Sequence, residues 1–344
     1  MKKVLVILLL TVIVLFVDLY GKLIFSQYIK PSDSLPKKVI TSNSKKQGEG
    51  MPAEAVSKML GRDSESVLAL FGEPSRMEPS AYDYEWWVYN TDLSHYVQFG
   101  IWQNKVVTIY AGGQKIDVSP YHMGQKYGDI YELTPFSYEI ALDYNNSSYE
   151  FELSESDVNE QPLIAIQNGW AQLYFDKFTQ KLTGVRYMDN ETLLKQRPYQ
   201  IMYSGALMSP QALTAEQENE IETANAKQIL DLTNIIRIRE HLKPLAWDDE
   251  VAEVAYLHSK DMKDSSYFAH ESPEFGSLGD RLTRGKVTFR TAGENIASNY
   301  TDGIAAVQGW LNSEGHRENV LNSKFNSLGV GVYDTYYTQN FTQK

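Results

Sequence analysis

The sequence predicts an α+β protein with two folded domains, of which the second is an α-β-α sandwich. The chain has 344 residues, which is long enough for two domains that each bury a core. Tyrosine and tryptophan are concentrated between Tyr82 and Tyr138, and this composition is typical of β-sheet. After residue 214, apolar residues follow helical spacing, and two strand patterns close the chain. We therefore expect a separate sheet-rich α+β domain first and the sandwich second.

The composition of the chain excludes some partners and sites. The net charge is −12 and the pI is about 5.1, which argues against nonspecific nucleic-acid binding, because that requires a positive field. The chain has no cysteine. Neither a disulfide framework nor a thiolate metal site can therefore form.

Residues 1–25 have the pattern of a signal peptide or membrane anchor. Lys2 and Lys3 precede an apolar run, Val4–Val17, which resumes after Asp18 and continues to Phe25. No A-x-A-like cleavage site follows, so we favour an uncleaved anchor or signal over a cleaved one. The positive start would leave the N-terminus in the cytoplasm and the rest of the chain outside. We expect an extracytoplasmic protein, either secreted or anchored through contact of its N-terminus with the membrane.

Residues 26–50 are rich in Ser, Lys, Gly and Pro and predict a solvated linker, and a sheet-rich domain follows over residues 51–194. A helix begins at Ser64 and ends at Gly72-Glu73-Pro74. Gln103-Asn104 is predicted to be a hairpin turn. The predicted strands are Tyr84–Tyr89, Tyr96–Trp102, Lys105–Ala111, Ser137–Asp143, Tyr149–Leu153, Trp170–Asp176 and Leu182–Met188.

This first domain has two further features. The same order of turns and aromatic strands occurs twice, and each half ends in a final strand, Val106–Tyr110 in the first and Leu182–Tyr187 in the second. We therefore interpret the domain as two related halves. Trp86 and Trp87 could bind carbohydrate or a peptide strand. We interpret them as core and cross-strand packing, because alternating aromatics in strands more often pack than bind.

Residues 195–213 are predicted to connect the domains, and the second domain occupies residues 214–344. Thr214 and Gln217 form a capping box that starts a long helix ending at about Glu240. Asp248 caps a second helix, Asp249–Asp264. The later elements that we predict are a short amphipathic helix ending at Leu311, a turn at Gly315-His316-Arg317, and strands at Ser327–Tyr333 and Tyr336–Phe341.

Histidines and carboxylates recur near the C-terminus among glycines and apolar residues. His270 lies in a loop after two aromatics, Glu294 lies between Gly293 and an apolar segment, and His316 follows the short helix. An ionised carboxylate is costly to bury unpaired, so Glu294 must face water, a metal or a histidine. Imidazoles and carboxylates that the fold brings together can hold a divalent metal or share a proton.

Three nearby residues are assigned other roles. His258 lies on the apolar face of the second helix, and we interpret it as a core histidine that is hydrogen-bonded to backbone. Asn295 is expected to hold backbone in place. Arg317 either pairs with a carboxylate or is solvated.

The second domain carries motifs that occur in this order: HSKDM at His258–Met262, YFAH at Tyr267–His270, AGENIA at Ala292–Ala297, WLNSEGHRENVL from Trp310, and LGVGVY from Leu328. They resemble the bacterial branch of the CAP superfamily, which includes cysteine-rich secretory (SCP-like), antigen 5 and pathogenesis-related proteins. The string FGEPSRMEPSAYDYEWWVY at Phe71–Tyr89 resembles the CAP-associated N-terminal domain.

This resemblance implies the α-β-α sandwich and a central cleft lined by two histidines and two glutamates. His270, Glu294 and His316 match three of these positions, and Glu314 is the candidate for the fourth. The sequence departs from the family pattern there, because Ser313 holds the nearest equivalent position. His270, His316 and Glu294 are the candidate metal ligands. Three protein ligands plus water would suit Zn²⁺ or a similar ion, and Mg²⁺ and Ca²⁺ are the other candidate metals.

The function predicted is that of an extracytoplasmic binding module whose cleft holds a metal, a small lipid-like molecule or a cell-wall ligand. No nucleophile stands in a G-x-S-x-G context, which favours binding over catalysis. One alternative is a metal-dependent hydrolase acting on peptide or cell-wall polymer, with Glu294 as general base. Another is a purely structural hydrogen-bond network within the sandwich.

Overall fold

The structure is a computed structural model that describes residues 40–42 and 55–344. The predicted signal or anchor, residues 1–25, lies outside the described residues, as do residues 51–54 and all of the predicted linker except Ile40–Ser42. Within the described part of the chain, no helix has both the length and the apolar character needed to span a membrane. The described residues belong to one compact unit.

The N-terminal domain contains short helices and many strands. Its strands are β1 (Ile40–Ser42), β2 (Arg76–Pro79), β3 (Glu85–Tyr89), β4 (Val97–Trp102), β5 (Lys105–Ala111), β6 (Glu139–Tyr144), β7 (Ser147–Glu152), β8 (Leu163–Ile166), β9 (Gly169–Asp176), β10 (Lys181–Met188) and β11 (Gln200–Ser204). Its helices are α1 (Ser64–Phe71), α2 (Tyr127–Leu133), α3 (Glu155–Glu160) and α4 (Asn190–Gln196), with 3₁₀ turns at Ala55–Met59 and Leu93–His95. All seven predicted strands are present.

The central sheet of this domain is antiparallel and has seven strands in the order β2-β3-β4-β5-β10-β9-β8. The final strands of the two predicted halves, β5 and β10, pair with each other at its middle. Gln103 and Asn104 have φ of 46° and 63° and connect β4 to β5. These left-handed conformations suit a two-residue hairpin, so the predicted turn is confirmed.

A smaller sheet, in the order β1-β6-β7-β11, includes two segments that were not predicted to be strands, β1 and β11. β1 lies inside the predicted linker and pairs in parallel with β6. β11 lies inside the predicted connection, residues 195–213, and pairs with β7. The first domain therefore extends to Ser204, because this part of the connection forms a sheet edge.

The central sheet is buried on both faces. Trp86 and Trp87 are adjacent in β3, point to opposite faces and are only 2% and 9% exposed. Trp87 belongs to the core of the N-terminal domain, whereas Trp86 belongs to a cluster shared with the second domain. The interpretation of these tryptophans as packing is confirmed. The face turned to the second domain, here called the tyrosine face, comprises Tyr84, Trp86, Val88, Tyr96, Tyr110 and Tyr174.

The second domain has helices on both sides of a four-stranded sheet. Its helices are α5 (Ala215–Arg239), α6 (Asp249–Asp264), α7 (Leu278–Arg284), α8 (Gly303–Leu311) and α9 (Glu314–Val320). Its strands are β12 (Ala246–Trp247), β13 (Thr291–Ser298), β14 (Ser327–Tyr333) and β15 (Tyr336–Gln343), in the order β12-β14-β15-β13. Thr214 and Gln217 form the predicted capping box of α5.

The prediction of a turn at Gly315-His316-Arg317 is wrong. These residues lie inside the helix α9, which begins after Ser313 and ends at Val320. The backbone N–H of Arg317 bonds to the carbonyl of Ser313, so the glycine sits in the first turn without interrupting the helix. A glycine in a helix is less favourable than alanine by only about 1 kcal/mol, and the packing of this short helix outweighs that preference.

The two domains meet through a polar network as well as the tyrosine face. Arg76 of β2 lies 2.7 Å from Asp231 of α5, and Arg186 of β10 lies 2.8 Å from Asp302, the N-cap of α8. The buried side chain of Gln228 donates to Glu78 at 2.9 Å. Because buried charges are stable only when paired, these contacts fix one orientation of the domains.

Candidate functional site

Glu294 is the centre of a polar cluster in the second domain. It lies in β13, and its side chain is only 4% exposed. Its Oε1 accepts a hydrogen bond from Nδ1 of His270 at 3.0 Å, and its Oε2 forms an ion pair with Nη2 of Arg281. The carboxylate is therefore buried but paired, as the cost of burying a lone charge requires.

Gly293 allows β13 to pass close to α9. A Cβ atom at this position would lie 2.6 Å from Oδ1 of Asn319 and 2.9 Å from the ring of Phe325. A side chain here would therefore displace the Asn319 amide and the Phe325 ring. The neighbouring Asn319 donates to the carbonyl of Glu294 at 3.1 Å and to Oδ1 of Asn295 at 2.9 Å.

His270 is the exposed member of the cluster. Its side chain is 58% exposed, although Nδ1 bonds to Glu294. A carboxylate only accepts, so Nδ1 carries the proton, and Nε2 is the ring atom that can accept a hydrogen bond in the neutral form. Nε2 has no hydrogen-bond partner among the residues that the structure describes. This nitrogen is the atom that the cluster can offer to a ligand.

The loop that carries His270 is held from both sides. Arg281 of α7 donates through Nη1 to the carbonyls of His270 and Gly276, at 2.8 and 3.0 Å. Asp261 of α6 accepts from the hydroxyls of Tyr267 and Ser272, at 2.5 and 2.7 Å. These hydrogen bonds fix the loop ends and leave the imidazole exposed between them.

His258 has the role predicted for it. Its side chain is fully buried, and Nε2 lies 3.1 Å from the carbonyl of Ala269. A carbonyl only accepts, so Nε2 carries the proton. Burial lowers the pKa of His258, and this outweighs the opposing effect of the Glu294 carboxylate, 3.9 Å away. The prediction of a core histidine hydrogen-bonded to backbone is confirmed, and this backbone belongs to the residue before His270.

His316 lies on α9, and its imidazole is close enough to the imidazole of His270 for the two charges to interact. Burial lowers the pKa of His316, and the nearby His270 lowers it further. Its imidazole is therefore neutral at pH 7. Asn295 donates through Nδ2 to the carbonyl of His316 at 3.1 Å, which ties α9 to the strand that bears Glu294. This agrees with the prediction that Asn295 holds backbone in place.

Glu314, the candidate for the fourth family position, lies in the same short helix as His316. It is the first residue of α9, and its side chain is exposed. Within residues 55–344, no hydrogen bond or ion pair joins it to His270, Glu294 or His316. Glu294 instead forms an ion pair with Arg281, which was not among the predicted site residues.

The donor set fits a divalent cation poorly. Among the described residues, no group of three or more His, Cys, Asp or Glu side chains is arranged to hold a metal ion. The Glu294 carboxylate already pairs with Arg281, and the Nδ1 proton of His270 occupies its other oxygen. A cation at this carboxylate would meet the guanidinium charge at short range.

A groove with a volume of about 830 Å³ lies between the domains. It lies between β2 and the start of α5 and shares no residue with the histidine cluster. Its charged lining is mainly acidic and includes Glu85, Glu216 and Glu220. No histidine of the described residues lines this groove.

The sequence matches two family models, one for each domain. Residues 60–199 match the CAP-associated N-terminal model, and residues 230–344 match the model of the cysteine-rich secretory protein family, CAP. The chain is 46% identical over 317 residues to a Bacillus subtilis protein named "Uncharacterized membrane protein YlbC", covering 92% of this chain and 91% of that protein.

Two solved structures are similar over most of the chain. An extracellular protein containing an SCP domain from Bacillus anthracis has 58% identity and a TM-score of 0.82, with 88% of this chain and 100% of that chain covered. A cysteine-rich secretory protein from Staphylococcus aureus has 28% identity and a TM-score of 0.76, with 89% and 100% covered. The paired arrangement of the two domains therefore recurs in bacterial proteins.

Proposed function

The chain belongs to the cysteine-rich secretory protein (CAP) family, and on that premise we propose that its second domain is an extracytoplasmic binding module. The ligand that we propose is a hydrogen-bonding fragment of the cell wall, held in the cleft at His270 and His316. The observation that carries this proposal is the orientation of His270: Nδ1 bonds to the buried Glu294, while the side chain is 58% exposed.

The chemistry of the cluster favours a neutral polar ligand. The charges of Glu294 and Arg281 offset each other, and the lowered pKa of His316 leaves its ring neutral. An imidazole acceptor can bind an amide N–H or a sugar O–H, and both groups are abundant in cell-wall muropeptides. Exposed Phe268 lies 6.4 Å from Tyr336, ring centre to ring centre, and could pack against the apolar part of a ligand.

The hydrogen-bond partners of His270 favour ligand binding over catalysis. Within residues 55–344, no serine, threonine or cysteine side chain bonds to His270, so the ring has no side-chain nucleophile to activate. The metal-dependent hydrolase alternative requires a donor set that Arg281 disfavours. The polar cluster thus supports recognition of a ligand more directly than its cleavage.

We also propose that the N-terminal segment anchors the protein at the outer face of the membrane. The support is the apolar run after Lys2 and Lys3 and the names of relatives, one a membrane protein and one extracellular. Protease treatment of intact cells tests this localisation. Degradation of the second domain in intact cells supports it, and protection until lysis contradicts it.

The ligand is tested by calorimetry with the compact unit, residues 39–344. A purified disaccharide-peptide muropeptide and a soluble lysophospholipid represent the two ligand classes. We expect saturable binding of the muropeptide and its loss in His316→Ala. Binding of only the lysophospholipid would favour a lipid-like ligand, and binding of neither would contradict the proposal.

A further inference from the structure

The turn between β9 and β10 of the N-terminal domain reaches the helix that carries His316. Asn312, which lies between α8 and α9, accepts from the backbone N–H of Lys177 at 2.9 Å. Its amide also donates to the carbonyl of Phe175 at 2.8 Å. Asn312 is 5% exposed, so both hydrogen bonds are shielded from water.

A second contact joins the same turn to α9 itself. Nη2 of Arg317 lies 2.9 Å from Oδ2 of Asp176, and the guanidinium carbon lies 5.0 Å from the ring centre of Phe178. Asp176 is only 4% exposed, and the Arg317 side chain is 14% exposed. The pair is therefore largely desolvated, and removing one partner would leave the other poorly compensated. Arg317 thus pairs with a carboxylate, one of the two roles considered for it.

Asp176 also organises its own turn. Its Oδ1 accepts from the backbone N–H of Phe178 at 2.9 Å, while Oδ2 faces Arg317. One carboxylate therefore shapes the turn and holds the helix of the other domain. We call the contacts of residues 175–178 with Asn312 and Arg317 the clasp.

The clasp contacts the chain on both sides of His316, so it bears on where His316 lies. Arg317 follows His316 directly, and Asn312 precedes α9 by two residues. Asn295 and Asn319 also tie α9 to β13, which bears Glu294. A helix of seven residues is not stable by itself, so these external contacts determine where it lies.

We propose that the N-terminal domain positions His316 in the cleft through the clasp, with Asp176, Asn312 and Arg317 as positioning residues. The N-terminal domain then acts as a built-in part of the binding site rather than as a spacer. This inference rests on the proposed function in one respect, the role of His316 as a ligand contact. The placement of α9 is independent of which ligand binds.

Hydrogen–deuterium exchange of the full chain in detergent, followed by mass spectrometry, tests the proposal. Asp176→Asn keeps an oxygen for the turn but removes the charge opposite Arg317. We expect the α9 amides to exchange about tenfold faster or more, because the helix loses a buried contact. We also expect faster labelling of His316 by diethyl pyrocarbonate, with buried His258 in the same sample as an internal reference.

Asp231→Asn is the matched control. Asp231 is another buried interdomain carboxylate, 7% exposed, but its partners Arg76 and Asn90 lie on the β2–β3 side of the sheet. The proposal requires α9 and His316 to respond to Asp176→Asn and not to Asp231→Asn. An equal response to both variants would indicate a general loosening and overturn it.

A second variant keeps the test decisive if Asp176→Asn does not fold. Asn312→Ala removes both amide contacts without changing the charge of the clasp. Faster exchange at α9 in this variant supports the proposal, whereas unchanged exchange at α9 and unchanged labelling of His316 overturn it. Neither readout involves a ligand, so this inference and the proposed function can fail separately.

Discussion

Nη2 of Arg186 donates to both carboxylate oxygens of Asp302, at 2.9 and 2.8 Å. Arg186 belongs to the first domain and Asp302 to the second, and their side chains are 0% and 9% exposed. Burial by itself would lower the pKa of Arg186, but the Asp302 carboxylate together with Tyr174 and Tyr84 outweighs this, and the net pKa is raised. The two domains therefore share an ion pair that neither can satisfy alone.

Breaking this pair is expected to destabilise both domains together. Arg186→Met leaves the Asp302 carboxylate buried and uncompensated, which costs about 3–5 kcal/mol in the free energy of unfolding. Denaturant unfolding followed by tryptophan fluorescence and by far-UV circular dichroism measures the change. We expect one shared transition at a lower midpoint, and separate transitions for the two domains would contradict the shared core.

Arg281 and His270, the two partners of Glu294, are expected to contribute differently to the free energy of unfolding. Arg281→Met removes the cation beside a carboxylate that is 4% exposed and should lower stability by about 3–5 kcal/mol. His270→Ala removes a side chain that is 58% exposed and should lower it by about 1 kcal/mol or less. Equal losses in thermal unfolding would instead favour the purely structural reading of the cluster.

Stability is expected to fall as the pH decreases below about 6.5, in part because of His258. Burial lowers its pKa in the folded state from the ordinary value of 6.5, so the unfolded state binds the proton more readily. The stabilising contribution is present above pH 6.5 and decreases as the pH falls towards the lowered pKa. The slope for one group is at most about 1.4 kcal/mol per pH unit.

His258→Gln is the control for this pH effect, because it keeps an amide donor for the carbonyl of Ala269 without a titrating ring. Urea unfolding between pH 7.5 and 5.5 should give a shallower pH dependence in the variant than in the wild type. Identical slopes would show that His258 does not contribute. The comparison with the variant removes the effect of carboxyl groups, which both proteins share.

Metal binding at the cluster is expected to be absent or weak. Calorimetry with Zn²⁺, Mg²⁺ and Ca²⁺ should show no saturable binding near one equivalent that a His270→Ala/His316→Ala double variant loses. The reason is the guanidinium of Arg281 on the central carboxylate. One equivalent of any of these ions, lost in the double variant, would revive the metal-dependent hydrolase hypothesis.

The sequence predicted the elements that have strong local signals. The capping box at Thr214, the helix Asp249–Asp264 and the paired C-terminal strands are all present because each depends on residues close in the chain. Short or polar strands escaped detection: β2 contains Arg76, Glu78 and Pro79, and its pairing with β3 arises only in the folded sheet.

The site was predictable only in part for a similar reason. The family resemblance identified His270, Glu294 and His316, but nothing local indicates that Arg281 pairs with Glu294. The interface between the domains did leave a signal. In β3 the consecutive residues Trp86, Trp87 and Val88 are all buried, and a continuous apolar run is typical of a strand that is covered on both faces.

The most direct test of the binding proposal pairs affinity with stability for His270→Ala in residues 39–344. We expect muropeptide affinity to fall at least about tenfold, as loss of a good hydrogen bond in a binding site implies, while the midpoint of thermal unfolding stays close to that of the wild type. Unchanged affinity in the folded variant would contradict the central claim that His270 presents an imidazole nitrogen to the ligand.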